Sequence, residues 1–412
     1  MSSKNIIVGL DVGTTKVCTI VGIKNLESGL EIIGIGTHAS LGLKKGAVVN
    51  IDLTVESIRN SVEEARLMSG VNITSATIGI AGGHIYSFNS SGVVAIKGKE
   101  ITSDDVSRVL EAAKAVVIPS DREIIHVIPQ EFKVDNTTGI KNPVGMCGVR
   151  LEAHVHIVTG SISLVQNLVK CVEMAGVRVE NITLQPIASS EAVLSTEEKE
   201  MGIILIDIGG GTTDVAIWKD GSLLHTEIIP VGGNHFTNDL AIALKIPHAE
   251  AERIKINHGS VLAENINQSA HITVQGLGGQ KPREIQLSIV AEVLGARAEE
   301  LFELVQTQIK EKGFDQSITG GFVLTGGGAM IKGLTELAEY VLEKPVKIGI
   351  PISFGGMTNI MQSPKFSTVL GLLIEANKSK PFIEEFESKE KATFDLVTKL
   401  SDSLKAVFKE IF

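Results

Sequence analysis

The sequence predicts an α/β protein made of two similar halves, because one pattern occurs in it twice. Residues 10–17 (LDVGTTKV) and residues 206–215 (IDIGGGTTDV) each combine an apolar strand ending in aspartate, a Gly/Thr turn and a second apolar strand. At 412 residues, the chain is long for one core and sufficient for two domains with insertions. We therefore expect a duplicated domain, with one copy of the turn in each half.

The composition is typical of a soluble α/β protein and argues against several kinds of partner and site. Hydrophobic residues make up 43% of the chain and aromatic residues 4%, which is ordinary for a soluble α/β protein. The net charge of −10 argues against a nucleic-acid partner. Cys18, Cys147 and Cys171 have no CxxC spacing, so neither a disulfide framework nor a zinc site is expected. No apolar run approaches the ~20 residues that span a bilayer and no signal peptide precedes the first strand, so we expect a cytoplasmic location.

The first half is expected to begin with a β-meander, followed by a helix to Ser69 with Asp52 as its N-cap and Gly70 as its end. Residues 84–160 carry their own strands and a helix opened by Thr102, which indicates an inserted subdomain. The strands predicted up to this insertion lie near Ile6–Leu10, Val17–Ile23, Glu31–Gly36, Ala47–Val49 and Ala76–Ala81.

The second half is expected to repeat the meander from Gly202 to Val231. Helical spacing and turn residues then predict two short helices, a polar β-rich stretch, a long helix and a strand that leads into a triglycine. These later segments are Gly233–Leu244, His248–His258, 265–287, Ser288–Lys312 and Phe322–Thr325, and the last compact helix is Ser367–Ala376.

The two Gly/Thr turns have the chemistry of a site for Mg²⁺ and phosphate. Asp11 and Asp207 are hard carboxylates at strand ends and would hold Mg²⁺ through its water shell. The threonines offer hydroxyl and N–H donors to phosphates, and the glycines allow the backbone to approach closely. These residues are Thr14, Thr15, Lys16, Thr212 and Thr213, with Gly13, Gly209, Gly210 and Gly211. Taken singly, each segment could equally be a tight hairpin turn.

Together these segments resemble the actin/Hsp70/sugar-kinase superfamily, whose five signatures occur here in order. The phosphate loops correspond to 11–16 and 207–213, and the connecting helices to 185–194 and 365–375. The adenosine signature corresponds to 325–330. The resemblance implies ATP and Mg²⁺ as ligands. It adds Gly232, Gly233, Gly326, Gly327, Gly328 and Met330 as nucleotide contacts, with Glu252 as a ribose ligand and Lys255 as an adenine neighbour. The alternative for Glu252 and Lys255 is a solvated i, i+3 charge pair.

Hydrolysis requires a polar group that orients water behind the γ-phosphate. By resemblance, Gln185 is the first candidate and Glu191 the second. Because an amide has no useful basicity, slow ATPase activity at most is expected.

Within the superfamily, three segments resemble the FtsA family of bacterial cell-division proteins. They are 46–52 (GAVVNID), 125–132 (IHVIPQEF) and 142–153 (NPVGMCGVRLEA). The resemblance implies a polymerising protein that links FtsZ filaments to the membrane and recruits later division proteins through its insertion. Two alternatives remain at this stage: a sugar or acid kinase of the same fold and a pilus-assembly protein.

The C-terminal segment 394–412 has the pattern of an amphipathic helix lying on a membrane surface. Placed at 100° per residue, its apolar side chains share one arc, and its charges prevent it from spanning a bilayer. The expected membrane contacts are Phe394, Val397, Leu400, Leu404, Val407, Phe408, Ile411 and Phe412. The alternatives are packing of this helix on its own domain or in the groove of a partner.

The expected domains follow from these assignments. The first half comprises 1–83 and 161–195 and is rejoined by helix 365–376, with the inserted subdomain at 84–160. The second half comprises 196–230 and 301–364, and residues 231–300 form a small subdomain that would meet the FtsZ C-terminal peptide. A charged linker at 377–393 would connect the body to the membrane helix.

Overall fold

The computed structural model describes residues 6–25, 29–267, 269–276, 281–315, 318–352, 354–356 and 361–378. The predicted linker from 379 onward and the predicted membrane helix lie outside these residues.

The strands and helices are numbered separately in chain order. The strands are β1 (Ile6–Val12), β2 (Lys16–Asn25), β3 (Gly29–Ala39), β4 (Leu43–Lys44), β5 (Ala47–Val48), β6 (Ser75–Ile80), β7 (Tyr86–Ala95), β8 (Arg122–Val134), β9 (Thr137–Ile140), β10 (Arg150–Ser161), β11 (Arg178–Leu184), β12 (Ile203–Ile208), β13 (Thr213–Lys219), β14 (Ser222–Ile229), β15 (His271–Val274), β16 (Arg283–Gln286), β17 (Phe322–Thr325), β18 (Val346–Ile348) and β19 (Gly355–Gly356). The helices are α1 (Ile51–Ser69), α2 (Ser103–Lys114), α3 (Ile162–Met174), α4 (Gln185–Val193), α5 (Thr196–Met201), α6 (Gly233–Leu244), α7 (His248–His258), α8 (Leu287–Glu311), α9 (Leu334–Leu342) and α10 (Ser367–Lys378).

The two halves contain sheets of the same topology. In the first half the order is β11-β6-β1-β2-β3-β19, and in the second half it is β14-β13-β12-β17-β18. In each sheet three consecutive strands form an antiparallel meander, a later strand pairs in parallel with its first strand, and a further strand pairs in parallel with that later strand. The first sheet has one addition, β19, which pairs in parallel with β3 at the other edge. The strands beside the cores are almost continuously apolar because both faces of each sheet are covered. The predicted duplication, and with it the predicted fold class, is therefore confirmed for the described residues.

Helices α4 and α10 cross between the halves at very close range. A Cβ at Gly371 would overlap the backbone carbonyl of Ala188, and a Cβ at Gly9 would lie 2.8 Å from the carbonyl oxygen of Val369. Small residues at the crossing allow the helices to pack backbone to backbone. This crossing therefore joins the two sheets directly behind the loops predicted to bind phosphate.

The inserted subdomain is a four-stranded sheet, β7-β10-β8-β9, covered on one face by α2. Thr102 and Asp105 cap α2 reciprocally, as the sequence predicts for a helix opened at Thr102. The polar face of the sheet contacts the edge strand β14 of the second half, where Gln130 Nε2 donates to the carbonyls of Leu223 (3.0 Å) and Leu224 (2.9 Å). The insertion thus touches the half to which it is not directly connected.

Some predicted boundaries differ from those observed. The N-cap of α1 is Asn50, whose Oδ1 accepts from the N–H of Leu53 at 3.1 Å; Asp52, the predicted cap, lies inside the first turn. The boundary predicted at 300 falls inside α8, which continues without a break through 25 residues. Helix α10 ends at Lys378, two residues into the predicted linker.

Candidate nucleotide site

The two Gly/Thr turns have matching backbone geometry. In the first, the N–H of Gly13 donates to the carbonyl of Lys16 at 3.0 Å, and in the second the N–H of Gly209 donates to the carbonyl of Thr212 at 3.0 Å. Each turn joins two antiparallel strands and leaves its aspartate near the strand end. The repeated sequence pattern therefore forms a repeated structure.

The two turns face each other in contact. A Cβ at Gly210 would lie 2.6 Å from Oγ1 of Thr15, and a Cβ at Gly211 would lie 2.6 Å from Oγ1 of Thr14. Thr14 is held in turn by the N–H of Gly46, which donates to its Oγ1 at 3.1 Å. Larger residues at 210 or 211 would push the halves apart.

A cavity of about 460 Å³ opens between the turns, with most of the predicted nucleotide contacts in its wall. It is within the size range of small-molecule sites. The predicted residues that line it are Asp11, Gly13, Thr14, Thr15, Lys16, Gln185, Asp207, Gly209, Gly210, Gly211, Thr212, Gly233, Glu252, Lys255, Gly326, Gly327, Gly328 and Met330.

The two predicted metal carboxylates are held by side chains from the connecting helices. Gln185, the first residue of α4, donates its Nε2 to Oδ1 of Asp11 at 2.9 Å. Ser189 on α4 donates to Oδ2 of Asp207, and Thr368 on α10 donates to the same oxygen at 3.2 Å. Both carboxylates are buried and fixed in direction.

The site places several carboxyl groups close together in a buried environment. Burial raises the pKa of Asp11 to about 6, although Lys16 opposes the shift, and the nearby charge of Asp207 adds to it. Burial likewise raises the pKa of Asp207, against the effect of the hydroxyls of Ser189 and Thr368. A buried carboxylate is costly in its ionised form unless a cation lies close to it, so these carboxyl groups favour the binding of a cation.

Asp214 is a third carboxylate in the cavity wall, and the sequence interpretation missed it. It pairs with Asp207 across the β12–β13 ladder, whereas the matching position opposite Asp11 is Cys18. Burial, and then the charges of Asp207 and Asp11, raise the pKa of Asp214 well above its usual range. Its Oδ1 is buried and has no hydrogen-bond partner among the described residues. The available signal was the aspartate seven residues after Asp207, where the first pattern has Cys18 seven residues after Asp11.

The residues present fit a hydrated Mg²⁺ accompanied by a nucleotide. No group of three or more His, Cys, Asp or Glu in the described part of the chain is arranged as direct metal ligands. Carboxylates that face a polar cavity suit a cation that keeps several of its waters, as Mg²⁺ does. The orphaned oxygen of Asp214 is a polar group that such a hydrated ion would satisfy.

Gly326 is necessary to the shape of the site. It adopts φ +84°, and a Cβ there would overlap Oδ1 of Asp207 and approach the carbonyl oxygen of Ile208 at 2.6 Å. A side chain would therefore block the carboxylate on its cavity side. The backbone at this point is held by the N–H of Gly326, which donates to the carbonyl of Pro364 at 3.2 Å.

Glu252 and Lys255 lie together on α7, as their spacing predicts, and both line the cavity. Lys255 Nζ lies 2.8 Å from Oε2 of Glu252 and donates to the carbonyl of Gly233 at 2.9 Å. Thr237 bonds to both side chains. Ile256 and Met330 also line the cavity and expose apolar side chains. The cavity wall therefore combines a polar cluster with apolar surface, which suits a ribose and a base.

Three predicted residues are outside the cavity wall. Both carboxylate oxygens of Glu191 are paired, with Lys199 Nζ at 2.7 Å and Lys378 Nζ at 2.5 Å. Burial alone would raise the pKa of Glu191, but the two lysines hold it below its ordinary value. The Thr213 hydroxyl donates to the carbonyl of Val231, and Gly232 packs against Gly209 and Thr212 behind the second turn. The structure thus does not bring Glu191 to the place where a catalytic water would lie.

Within the described residues, no helix is long and apolar enough to cross a membrane. The predicted membrane contacts, from Phe394 to Phe412, lie beyond the described residues.

Two family profiles match the chain. The profile described as cell division protein FtsA matches residues 204–371, and the profile described as the SHS2 domain inserted in FtsA matches residues 82–159. The second match coincides with the four-stranded sheet that carries α2.

Curated relatives match over nearly their whole length. The chain is 46% identical to cell division protein FtsA of Borreliella burgdorferi, covering 98% of each chain. It is 46% identical to FtsA of Pseudomonas aeruginosa, over 91% of this chain and 90% of the relative. FtsA of Escherichia coli K12 is 38% identical over 90% of each.

Solved structures with a similar fold are more distant in sequence. A chain of the PilM-PilN type IV pilus biogenesis complex aligns with a TM-score of 0.67 at 15% identity, covering 90% of this chain and 98% of that one. MreB5 of Spiroplasma citri bound to ADP aligns with a TM-score of 0.50 at 17% identity, covering 95% and 99%. At these identities the similarity shows the actin-like fold alone.

Proposed function

The chain belongs to the FtsA family of cell division proteins, and from that membership we propose that it binds ATP with Mg²⁺ between its halves and anchors FtsZ filaments to the cytoplasmic membrane. Nucleotide binding is proposed because two matching Asp-Gly-Thr turns line the same cavity. The fold of an ADP-bound relative, MreB5, supports the same assignment.

In the proposed complex each half supplies the same kinds of group. The turns at 13–16 and 209–212 would receive the phosphates on backbone N–H groups and threonine hydroxyls. Asp11, Asp207 and Asp214 would hold the water shell of Mg²⁺, which neutralises phosphate charge when it is bound. Because the two turns belong to different halves, nucleotide binding would favour the closed arrangement and thereby a polymer-competent state.

Turnover of the nucleotide is proposed to be slow. Gln185 is held by Asp11 at the cavity wall, where its amide could orient water without acting as a base. ATP would then act mainly as a conformational ligand.

Attachment to the membrane is proposed for the amphipathic pattern of residues 394–412, with the apolar arc from Phe394 to Phe412 lying in the lipid interface. Residues 231–300 are proposed to contact the C-terminal peptide of FtsZ, and the inserted subdomain to contact later division proteins. The protein would therefore act at the cytoplasmic face of the membrane at the division septum and form filaments of its own.

Co-sedimentation with liposomes in the presence of ATP tests the tether. The full chain is compared with a chain ending at Lys391, each with and without FtsZ. We expect only the full chain to pellet with the lipid and to bring FtsZ with it. If the shortened chain pellets equally, the C-terminal helix is not the anchor; if FtsZ stays in the supernatant, the tether proposal fails.

A matched pair of substitutions separates apolar insertion from a general effect of charge. Leu404→Glu places a carboxylate on the apolar arc, and Asp402→Glu keeps one on the polar arc two residues away. Burial of one leucine contributes on the order of 1–2 kcal/mol, so Leu404→Glu should weaken the affinity for lipid about ten-fold, as measured by co-sedimentation over a series of lipid concentrations. Asp402→Glu should bind like the unaltered chain.

A further inference from the structure

We propose that Ser189 and Thr368 are positioning residues that aim the carboxylate of Asp207 at its cation and link cation binding to the crossing of the two connecting helices. This inference rests on the proposed binding of a Mg²⁺ nucleotide and deepens it. Neither Ser189 nor Thr368 belongs to the sequence of either phosphate turn.

The carboxylate of Asp207 is held by hydroxyl groups on one side only. One oxygen, Oδ2, accepts from Ser189 and also from Thr368, the latter at 3.2 Å. The two hydroxyl oxygens lie 3.2 Å from each other, so they form a single polar cluster with that oxygen. The other oxygen, Oδ1, faces the backbone at Gly326, on the cavity side. A carboxylate held on one oxygen by two donors offers its other oxygen in a fixed direction.

The two hydroxyl groups come from different connecting helices. Ser189 lies in the second turn of α4, and Thr368 lies in the first turn of α10. Asp207 belongs to β12 of the second half, so one carboxylate joins both connecting helices to that sheet. Ser367, the residue that precedes Thr368, anchors α10 separately, because its Oγ lies 2.6 Å from Thr325 Oγ1 on β17.

The crossing of α4 and α10 is packed too tightly to absorb a shift of either helix. Ala188 and Gly371 meet backbone to backbone, one residue from Ser189 and three from Thr368. A shift of Asp207 toward or away from a cation therefore has to move these hydroxyls, the crossing, or both. In a packed interface such small shifts are converted into relative motion of the halves.

The test measures ADP affinity for the full chain in Mg²⁺ and in EDTA, and takes the ratio of the two as the readout. Thr368→Val and Ser189→Ala each remove one donor to Asp207. Loss of a group that supports a metal ligand typically costs 10–100-fold, so we expect the Mg²⁺-dependent gain to fall about ten-fold while affinity in EDTA stays within about two-fold.

Two controls distinguish positioning from a general loss of stability. Thr368→Ser keeps the hydroxyl and should restore the ratio. Ser190→Ala removes a neighbouring buried hydroxyl that donates to the carbonyl of Pro186 (2.6 Å) and accepts from Trp218 Nε1 (2.9 Å). Because Ser190 does not touch Asp207, its loss should lower the melting temperature and leave the ratio unchanged.

Hydrogen exchange at the crossing tests the link to the helices. In the unaltered chain, Mg²⁺ added to the ADP complex should slow exchange of amides around Ala188 and Gly371, and in Thr368→Val it should not. The inference is overturned if Thr368→Val and Ser189→Ala keep the original ratio, or if Ser190→Ala lowers it equally. If the unaltered chain binds ADP equally well with and without Mg²⁺, both this inference and the proposed function are overturned. If the unaltered chain binds ADP more tightly in Mg²⁺ and every variant keeps the same ratio, the inference alone is overturned.

Discussion

Two of the contacts that involve both halves, one at the cavity and one along strand β14, are made by side chains that differ in kind. At the first, which we call the cleft contact, Asp11, Asp207 and Asp214 bring three buried carboxyl groups together. At the second, the insert contact, mostly neutral groups of the inserted subdomain bind the edge of β14; they are Ser87, Asn89, Gln130 and His156, with one cation, Lys141, whose Nζ donates to Ser222 Oγ at 2.6 Å.

The insert contact is complete in its hydrogen bonding. His156 is fully buried, with Nδ1 2.7 Å from Asn89 Oδ1 and Nε2 3.0 Å from Thr226 Oγ1. Ser87 donates to the carbonyl of Thr226 at 2.7 Å. Each polar group has a protein partner, as buried polar groups normally do.

The cleft contact is incomplete by the same standard. Its carboxyl groups have raised pKa values, and one oxygen of Asp214 has no partner among the described residues. The insert contact therefore serves to hold the subdomain in place, whereas the cleft contact is arranged to be completed by a ligand. Substitutions at the two contacts should accordingly have different consequences.

Gly371→Val should break the cleft contact at the helix crossing. The added side chain has no room beside Ala188, and overpacking of this kind costs about 3 kcal/mol in the free energy of unfolding, measured by urea denaturation. Gly83→Val is the control, since nothing lies within 4 Å of its Cβ position. Equal effects at the two positions would contradict the packing described for the crossing.

Acid should weaken the insert contact through His156. Burial, together with the charges of His225 and His126, lowers the pKa of His156 from 6.5 to about 3. As the pH falls, His156 is therefore protonated in the unfolded chain at a higher pH than in the folded protein. Protonation of the unfolded chain favours unfolding, so the stability that is present above pH 6.5 is lost as the pH falls below that value. Between pH 7 and pH 5 this residue should account for about 2 kcal/mol of lost unfolding free energy.

His156→Gln keeps a neutral polar group and should remove that part of the pH dependence in the same urea measurement. The unaltered chain will still lose stability in acid, because burial also lowers the pKa of His126 and of His84, each to about 4. An identical slope with pH in the variant and the unaltered chain would show that His156 is not held neutral by this contact.

Asp214→Asn should raise the stability of the ligand-free protein, unlike most substitutions of buried polar residues. Burial and the charges of Asp207 and Asp11 raise the pKa of this carboxyl, so the folded protein disfavours the ionised form that the unfolded chain adopts above its ordinary pKa, and the asparagine should remove that cost and stabilise the ligand-free protein at pH 8. The same variant should bind the Mg²⁺ nucleotide more weakly. Thermal unfolding with and without Mg²⁺ and ATP measures both effects; destabilisation in the absence of ligand would count against the comparison.

The sequence was informative where the pattern is local. Asp11, Asp207 and the glycines of both turns follow from a motif that folds the same way twice, because strand, turn and strand are adjacent in the chain. The inserted subdomain and the helices of the second half follow from periodicity and capping for the same reason.

Partners that come together only through tertiary packing were not predictable. Ser189 and Thr368 are 179 positions apart and meet at Asp207 only because two helices cross there. Glu191 lies on α4 like Gln185, yet the helix turns it toward Lys199 and Lys378. Asn50 and Asp52 are both residue types that cap helices, so the sequence does not decide between them, and only the backbone geometry identifies Asn50 as the N-cap.

The central claim is that both halves hold one Mg²⁺ nucleotide, and calorimetric titration of ATP into the full chain tests it most directly. The titration is made in Mg²⁺ and in EDTA, for the unaltered chain and for Asp11→Asn and Asp207→Asn. We predict one nucleotide per chain, tighter in Mg²⁺, with each substitution reducing that Mg²⁺-dependent gain by about ten-fold or more. Binding that is independent of Mg²⁺, or a gain that survives either substitution, would contradict a site shared between the two halves.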